Sequence, residues 1–340
     1  MALKSTAEHS LEGQWQRLDP IFIIGSQRTG TSIIWRALRT ANFLGFNEGH
    51  LWLDLVESFA RFRDPDHKKQ LRQSIFTLGS DRNLVLEKRW ALMIDRFHRD
   101  LLPPRLVRWV DKSPGVHAVQ MAPMLSQLFP RAQFIFMKRN AISTVNSGIS
   151  YVSREQDLDA FRRMCTRWVH VMRTWRKLSH LLVGRYIELE QERVAERPYD
   201  IGQEVAAFLR VPEHAEDFGT LFDSRRENTA FPDREPGDYA YPVDWSDAQE
   251  AILSDLCGAE MRVWGYPLDF QSPGGADPAQ AEPRFERDEL DMQGYYGWVG
   301  RVTAEERITR CEEELARIRG GRVMRFLIAG ERVLRQIGLR

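Results

Sequence analysis

The chain is short of cysteine and has no net charge. Its three cysteines, Cys165, Cys257 and Cys311, are scattered over 340 residues. No pair has the CxxC spacing of a zinc or redox site, and an odd dispersed set is no disulfide framework, so a reducing cytoplasmic setting is expected. Lys and Arg total 48, and so do Asp and Glu. That balance argues against a general nucleic-acid binder, which carries an overall basic excess, but it leaves room for a local basic pocket. No apolar run approaches the roughly 18 residues of a membrane span. Residues 1–19 are polar and lack the apolar core of a signal peptide. The histidines show no metal-ligand spacing, and no metal is expected. There is no internal repeat. At 43% hydrophobic residues the chain is not a disordered one, which would combine low hydrophobicity with high net charge. Its length fits one large domain or two at about 150 residues each.

What is present alternates between two periodicities. Pro20 to Gly25 is a short apolar, β-branched run, the signature of a buried parallel strand. A polar loop, Ser26 to Ser32, leads into the helical spacing of Ile33, Ile34, Ala37 and Leu38. Leu51 to Arg63 and Asp81 to Leu102 are expected to be helices. Leu106 to Val110 is expected to be a second strand, followed by a loop Asp111-Lys112-Ser113-Pro114-Gly115 and a helix. Phe134 to Met137 is a third strand that enters Lys138-Arg139-Asn140 and another helix. A helix from about Asp157 to Leu182 carries a stripe including Phe161, Cys165, Trp168, Met172 and Trp175, expected to pack on the core. Arg185 to Leu189 is a fourth strand, Phe222 to Trp245 a long loop, and Ser246 to Trp264 a helix. This alternation predicts an α/β fold, with helices on a central mostly parallel sheet. Ligands in such folds bind at the carboxyl ends of the strands, where the first three loops converge.

The first loop is built for an anion. Free backbone N–H groups and the positive end of the helix dipole point at whatever sits there. Gly25 and Gly30 bracket it, Thr31 and Ser32 add hydroxyls, and Arg28 adds a fixed charge with a planar donor fork. The loop almost fits the nucleotide-binding pattern GxxxxGK[ST], but Thr31 stands where Lys belongs. The third strand ends in Lys138-Arg139, where a metal-holding carboxylate would be expected. Both features disfavour a metal-dependent kinase.

At these residues the chain resembles the sulfotransferases that use 3′-phosphoadenosine 5′-phosphosulfate (PAPS). Arg28-Thr29-Gly30-Thr31-Ser32 matches their 5′-phosphosulfate loop. Arg139 with Ser147, eight residues on, matches their 3′-phosphate motif. Asp111-Lys112-Ser113-Pro114 resembles a segment of the carbohydrate-type members, and Arg185 to Leu189 more loosely resembles a family strand. In motif order the resemblance runs from Ile21 to Pro267. It implies a P-loop-like three-layer fold, PAPS as sulfuryl donor without a metal, and transfer to an acceptor hydroxyl on a glycan, glycolipid or natural product. It places Arg28 and Lys112 on the developing charge, Thr29, Gly30, Thr31 and Ser32 in the cradle, and Arg139 and Ser147 on the 3′-phosphate. Arg225 and Arg226 are expected in a loop closing on that phosphate, with a solvated loop the equal alternative. The family's base lies after the first helix, where this chain has Glu48 and His50; Glu48 is preferred, His50 second. An aromatic that stacks on adenine in many relatives is Ile33 here, and Trp35 faces differently, so the adenine contact is unassigned. His117 either orients a substrate or caps its helix, with capping preferred.

Residues 1–270 are expected to form the sulfotransferase domain, 271–302 a linker, and 303–340 a helical extension. The end is polarised: 271–316 carry 5 basic and 11 acidic residues, 317–340 carry 7 and 1. Its basic amphipathic segment suits a docked helix or a second copy of the chain, and alternatively a peripheral membrane contact. Competing readings are a P-loop-like small-molecule kinase and a non-catalytic nucleotide-binding protein.

Overall fold

A computed structural model describes residues 19–48, 108–151, 157–224, 243–281 and 290–302, apart from 293 and 300. Five strands form one sheet: β1 (Ile21–Gly25), β2 (Gly45–Asn47), β3 (Val110–Lys112), β4 (Gln133–Lys138) and β5 (Tyr186–Glu190). Their order is β2-β3-β1-β4-β5, and all neighbours are parallel. The helices are α1 (Thr31–Thr40), α2 (Val116–Leu128), α3 (Ala141–Tyr151), α4 (Leu158–Leu178), α5 (Gln191–Glu196), α6 (Pro198–Leu209), α7 (Ala215–Ser224) and α8 (Asp247–Trp264).

Period-two alternation along the strands divides the core into two layers. Phe22, Ile24, Phe134 and Phe136 face a cluster with residues of α2, α3, α4 and α8. Ile21, Ile23, Ile135 and Met137 face the opposite cluster with α1, α6 and α7. The fold is therefore three-layered α/β, as expected. The stripe on α4 packs inward: Phe161, Cys165, Trp168, Met172 and Trp175 are fully buried. Trp175 stacks on Phe136 with centroids 4.3 Å apart. Asp157 starts the helix by accepting from the Ala160 N–H, and Ser246 starts α8 through a capping box with Gln249.

Two parts of the sheet differ from expectation. The second strand is Val110–Lys112, not Leu106–Val110. Apolarity placed Asp111 and Lys112 in a loop, but register sets them in the sheet, opposite Phe22 and Ile23. Both are buried and both have polar partners: Asp111 accepts from the Ser113 hydroxyl, and Lys112 pairs with Glu48. Edge strand β2 was not expected, because three residues are too few to show alternation. It needs Gly45, where a Cβ would lie 1.8 Å from the Val110 carbonyl oxygen. Phe222 to Ser224 also belong to α7 rather than to a loop. The expected helices at 51–63 and 81–102 lie outside the described residues.

The chain after Phe270 lies against the same core. The Asp277 N–H donates to the Gly265 carbonyl. Tyr295, Tyr296 and Val299 are buried beside α2, and the Tyr295 hydroxyl donates to the Gln120 carbonyl. Among the described residues, no helix is long and apolar enough to cross a membrane.

The connections position the site. After β1 the chain enters α1 on one face of the sheet; after β3 and β4 it enters α2 and α3 on the other. Neighbouring strands whose loops leave to opposite sides open a crevice at their carboxyl ends.

Candidate active site

The loop from Gly25 to Gly30 turns in three left-handed steps: Gly25 at φ 137°, Arg28 at 67° and Gly30 at 86°. Glycine accepts such angles freely, whereas a side chain there is strained. At Gly30 space is also restrictive, since a Cβ would lie 2.1 Å from Gln191 Oε1. Gly30 caps α1 without a side-chain hydrogen bond, so the helix keeps N–H donors for a ligand. The Thr29 hydroxyl does not face such a ligand: it is buried and donates to the Ser26 carbonyl at 2.7 Å, bracing the turn.

Three cations from three strand ends gather at this loop. The Arg28 guanidinium donates from Nε to Ser147 Oγ at 3.1 Å and lies 4.5 Å over the Tyr151 ring. Burial lowers its pKa, and the Arg139 charge pushes the same way, opposed by Tyr151 and Glu48; an arginine stays cationic under such shifts. Arg139, from the end of β4, donates to the Arg28 carbonyl at 3.3 Å. Its guanidinium also faces Glu192 at 3.8 Å. Lys112, from the end of β3, donates to Ser32 Oγ at 3.1 Å and to Glu48 Oε1 at 2.7 Å. Glu48 follows β2 directly, donates its N–H to the Lys112 carbonyl and sits at φ 59°.

Arg28, Ser32, Glu48, Lys112, Arg139 and Ser147 are thus brought together, with Gly30 and Thr31 opening the helix behind them. Ser147 partners Arg28 here, where the sequence paired it with Arg139. His50, Arg225 and Arg226 lie outside the described residues. Ser224, the last residue before those arginines, shares a groove with Trp35, Arg36 and Arg39 of α1. Trp35 points into that groove and carries the Arg39 guanidinium 5.0 Å over its ring, while Ile33 is buried.

Sequence reasoning missed the supports at the start of α5. Gln191 packs on Gly30. Glu192 accepts from the Asn140 N–H and faces Arg139. Burial raises the Glu192 carboxyl to about 7, although Arg139 pulls it down. Burial likewise raises Asp111 to about 6 against the Ser113 hydrogen bond. Glutamates alternating through β5 into α5, at 188, 190 and 192, were the available signal, because carboxylates this deep need a built environment.

A model of the sulfotransferase family matches residues 20–216. The chain belongs to the sulfotransferase family. The matched segment contains the gathered residues, from Arg28 to Glu192. Solved structures similar to this sulfotransferase include a sulfotransferase domain from the curacin biosynthetic pathway, at 16% identity and TM-score 0.40 over 70% of this chain and 97% of that one. A sulfotransferase from Alicyclobacillus acidocaldarius matches at 16% and 0.40, over 72% and 92%. Mouse sulfotransferase SULT7A1, complexed with PAP, matches at 13% and 0.41, over 76% and 91%. No curated protein matches the chain in sequence. Among the described residues, no group of three or more His, Cys, Asp or Glu is placed to hold a metal ion.

Proposed function

We propose that this sulfotransferase moves the sulfuryl group of PAPS to an acceptor hydroxyl. The observation that carries the proposal is the convergence of Arg28, Lys112 and Arg139 on one glycine-bounded helix start, with a carboxylate against the buried Lys112. A donor with phosphate at two ends needs cations at two ends. Arg28, Lys112, Thr31, Ser32 and the N–H groups of α1 serve the phosphosulfate, with Thr29 bracing the loop. Arg139 serves the 3′-phosphate, with Ser147 beside it and Arg225 and Arg226 as the closing loop.

The acceptor oxygen forms a bond to sulfur as the bond from sulfur to the 5′-phosphate oxygen breaks. The electron pair leaves on the phosphate, and the hydroxyl proton passes to Glu48, or to His50 if Glu48 is not the base. The products are a sulfate ester and adenosine 3′,5′-bisphosphate. Fixed donors aimed at charge that develops during reaction supply the largest share of such catalysis, and the base adds to it. The acceptor hydroxyl belongs to a glycan, glycolipid or natural product, in the cytoplasm, and the 303–340 segment docks on the domain or on a second copy.

Thermal-shift measurements test the donor. Adenosine 3′,5′-bisphosphate should stabilise the protein without metal, and ATP with Mg²⁺ should not. Stabilisation by ATP with Mg²⁺ alone would favour a kinase, and by neither, a protein without a nucleotide site.

A further inference from the structure

The chain leaving α8 closes into a loop over 265–277. Gly265, at φ 75°, starts it, and the Asp277 N–H donates back to the Gly265 carbonyl at 2.8 Å. Glycine is required there, because a Cβ would lie 2.3 Å from the Asp277 carbonyl oxygen. The outer turn of the loop, at Gln271 and Ser272, is exposed. Its inner edge meets one dipeptide, Arg139-Asn140. Asn140 is fully buried, and its Nδ2 donates to the Gly274 carbonyl at 2.9 Å and to the Pro267 carbonyl at 3.4 Å. Its Oδ1 accepts from the Ile142 N–H at 2.9 Å and so caps α3. The same loop reaches the glutamates beside that dipeptide. The Ala276 N–H donates to Glu190, and a Cβ on Gly275 would lie 2.8 Å from Glu190 Oε1 and 3.3 Å from Glu192 Cβ.

Other elements fix the same backbone. Trp168 Nε1 of α4 donates to the Arg139 carbonyl at 2.9 Å, and the Tyr266 ring of the loop packs edge-on against Trp168 at 6.4 Å. Glu192 of α5 accepts from the Asn140 N–H at 3.2 Å and faces the Arg139 guanidinium. A long side chain is aimed well only from an anchored backbone and a packed support. We propose that loop 265–277, acting through Asn140, holds Arg139 in place for the 3′-phosphate of the donor, and so sets the preference for a 3′-phosphorylated nucleotide. Asn140 is a positioning residue, since it is fully buried and acts through Arg139. The proposal rests on the sulfuryl-transfer reading and deepens it. The 5′ end of the donor is assigned to other elements, so loosening the loop should leave that end intact.

Titration calorimetry on the full chain, with adenosine 3′,5′-bisphosphate against adenosine 5′-monophosphate, tests this. The two probes differ only in the phosphate assigned to Arg139. The wild type should prefer the bisphosphate. Asn140→Ser keeps a capping oxygen for α3 and removes the amide that holds the loop. It should cut the preference by about tenfold, as the loss of one hydrogen bond does, with monophosphate affinity unchanged. Gly275→Ala pushes the loop off Glu190 from outside the dipeptide and adds no charge. It should cut the preference in the same direction, and it decides the matter even if Asn140→Ser fails to fold. A role in stability alone would lower the urea midpoint and leave the preference as it was. An undiminished preference in either folded variant, or an equal loss of both probes, overturns the proposal. A wild type that binds the two probes alike defeats the donor reading, and the proposal falls with it.

Discussion

The Lys112 ammonium lies 2.7 Å from the Glu48 carboxylate, at 2% side-chain exposure against 52% for its partner. The lysine is committed to the interior and the glutamate is half-exposed. A buried cation so held is positioned before a ligand arrives, while its carboxylate stays half-exposed.

This asymmetry separates two substitutions. Lys112→Met should lower turnover by about 10²–10³-fold, the cost of losing one fixed donor to transition-state charge. Stability should change little, since the stranded Glu48 can reach water. Glu48→Gln should lower turnover by about 10²–10⁴-fold as a lost base, with bisphosphate binding retained. Steady-state rates and thermal shifts on the two variants check both halves.

Gly30→Ala should fail on two counts. Its Cβ would meet Gln191 Oε1, and φ 86° is unsuited to alanine. A destabilisation of about 1–3 kcal/mol and loss of bisphosphate binding are expected. Adding Gln191→Ala should relieve the steric part and not the backbone part. Urea unfolding of the single and double variants separates them.

Ser147→Ala removes the partner of Arg28 Nε. A hydrogen bond to a charged group contributes about 1.5–3 kcal/mol, so kcat should fall by roughly tenfold or more. Tyr151→Leu removes the ring beneath the same guanidinium and should cost less, about 0.5–1 kcal/mol for an exposed cation–π contact. Single-turnover rates order the two.

Glu192 gives stability a definite slope with pH. Its folded pKa, about 7, lies above the ordinary 4.5, so the native state holds the proton longer than the unfolded chain. Its contribution is therefore greatest at low pH and is lost as pH rises from about 4.5 to about 7, by an amount on the order of 3 kcal/mol. Asp111, raised from 3.8 to about 6, acts in the same direction. Glu192→Gln should flatten the decline between pH 5 and pH 8, read from urea midpoints. An unchanged slope would assign the decline elsewhere.

The polarised end calls for a cut after residue 302, because Tyr295 and Val299 belong to the core. Full-length protein should sediment as a larger species than 1–302 if 303–340 joins two copies. Equal pelleting of both with anionic vesicles would end the membrane alternative.

Much of the site was legible because its motifs are local. A β-branched run, two glycines and a helical repeat lie within twenty residues, so β1, the anion loop and α1 followed from neighbouring side chains alone. Arg139 and Ser147, a strand end and a helix face eight residues apart, were both legible as candidates, but Ser147 bonds Arg28 and not Arg139. The two-sided helices followed from alternating periodicities. Strand β3 was misplaced because apolarity is a poor guide where buried positions hold a paired lysine and aspartate.

Order across the sheet was not local, and it decided the rest. Placing β3 between β2 and β1 joins Lys112 to Glu48 across 64 residues of chain. Packing α3 behind the loop joins Arg28 to Ser147 across 119. The seating of Gln191 on Gly30 and the burial of Glu192 against Arg139 arise in the same way. Sequence determined which residues are proposed to carry the chemistry, since charge, hydroxyls and backbone freedom are properties of single positions. Only the tertiary structure decided which of them meet, because contact depends on elements that chain order does not make neighbours.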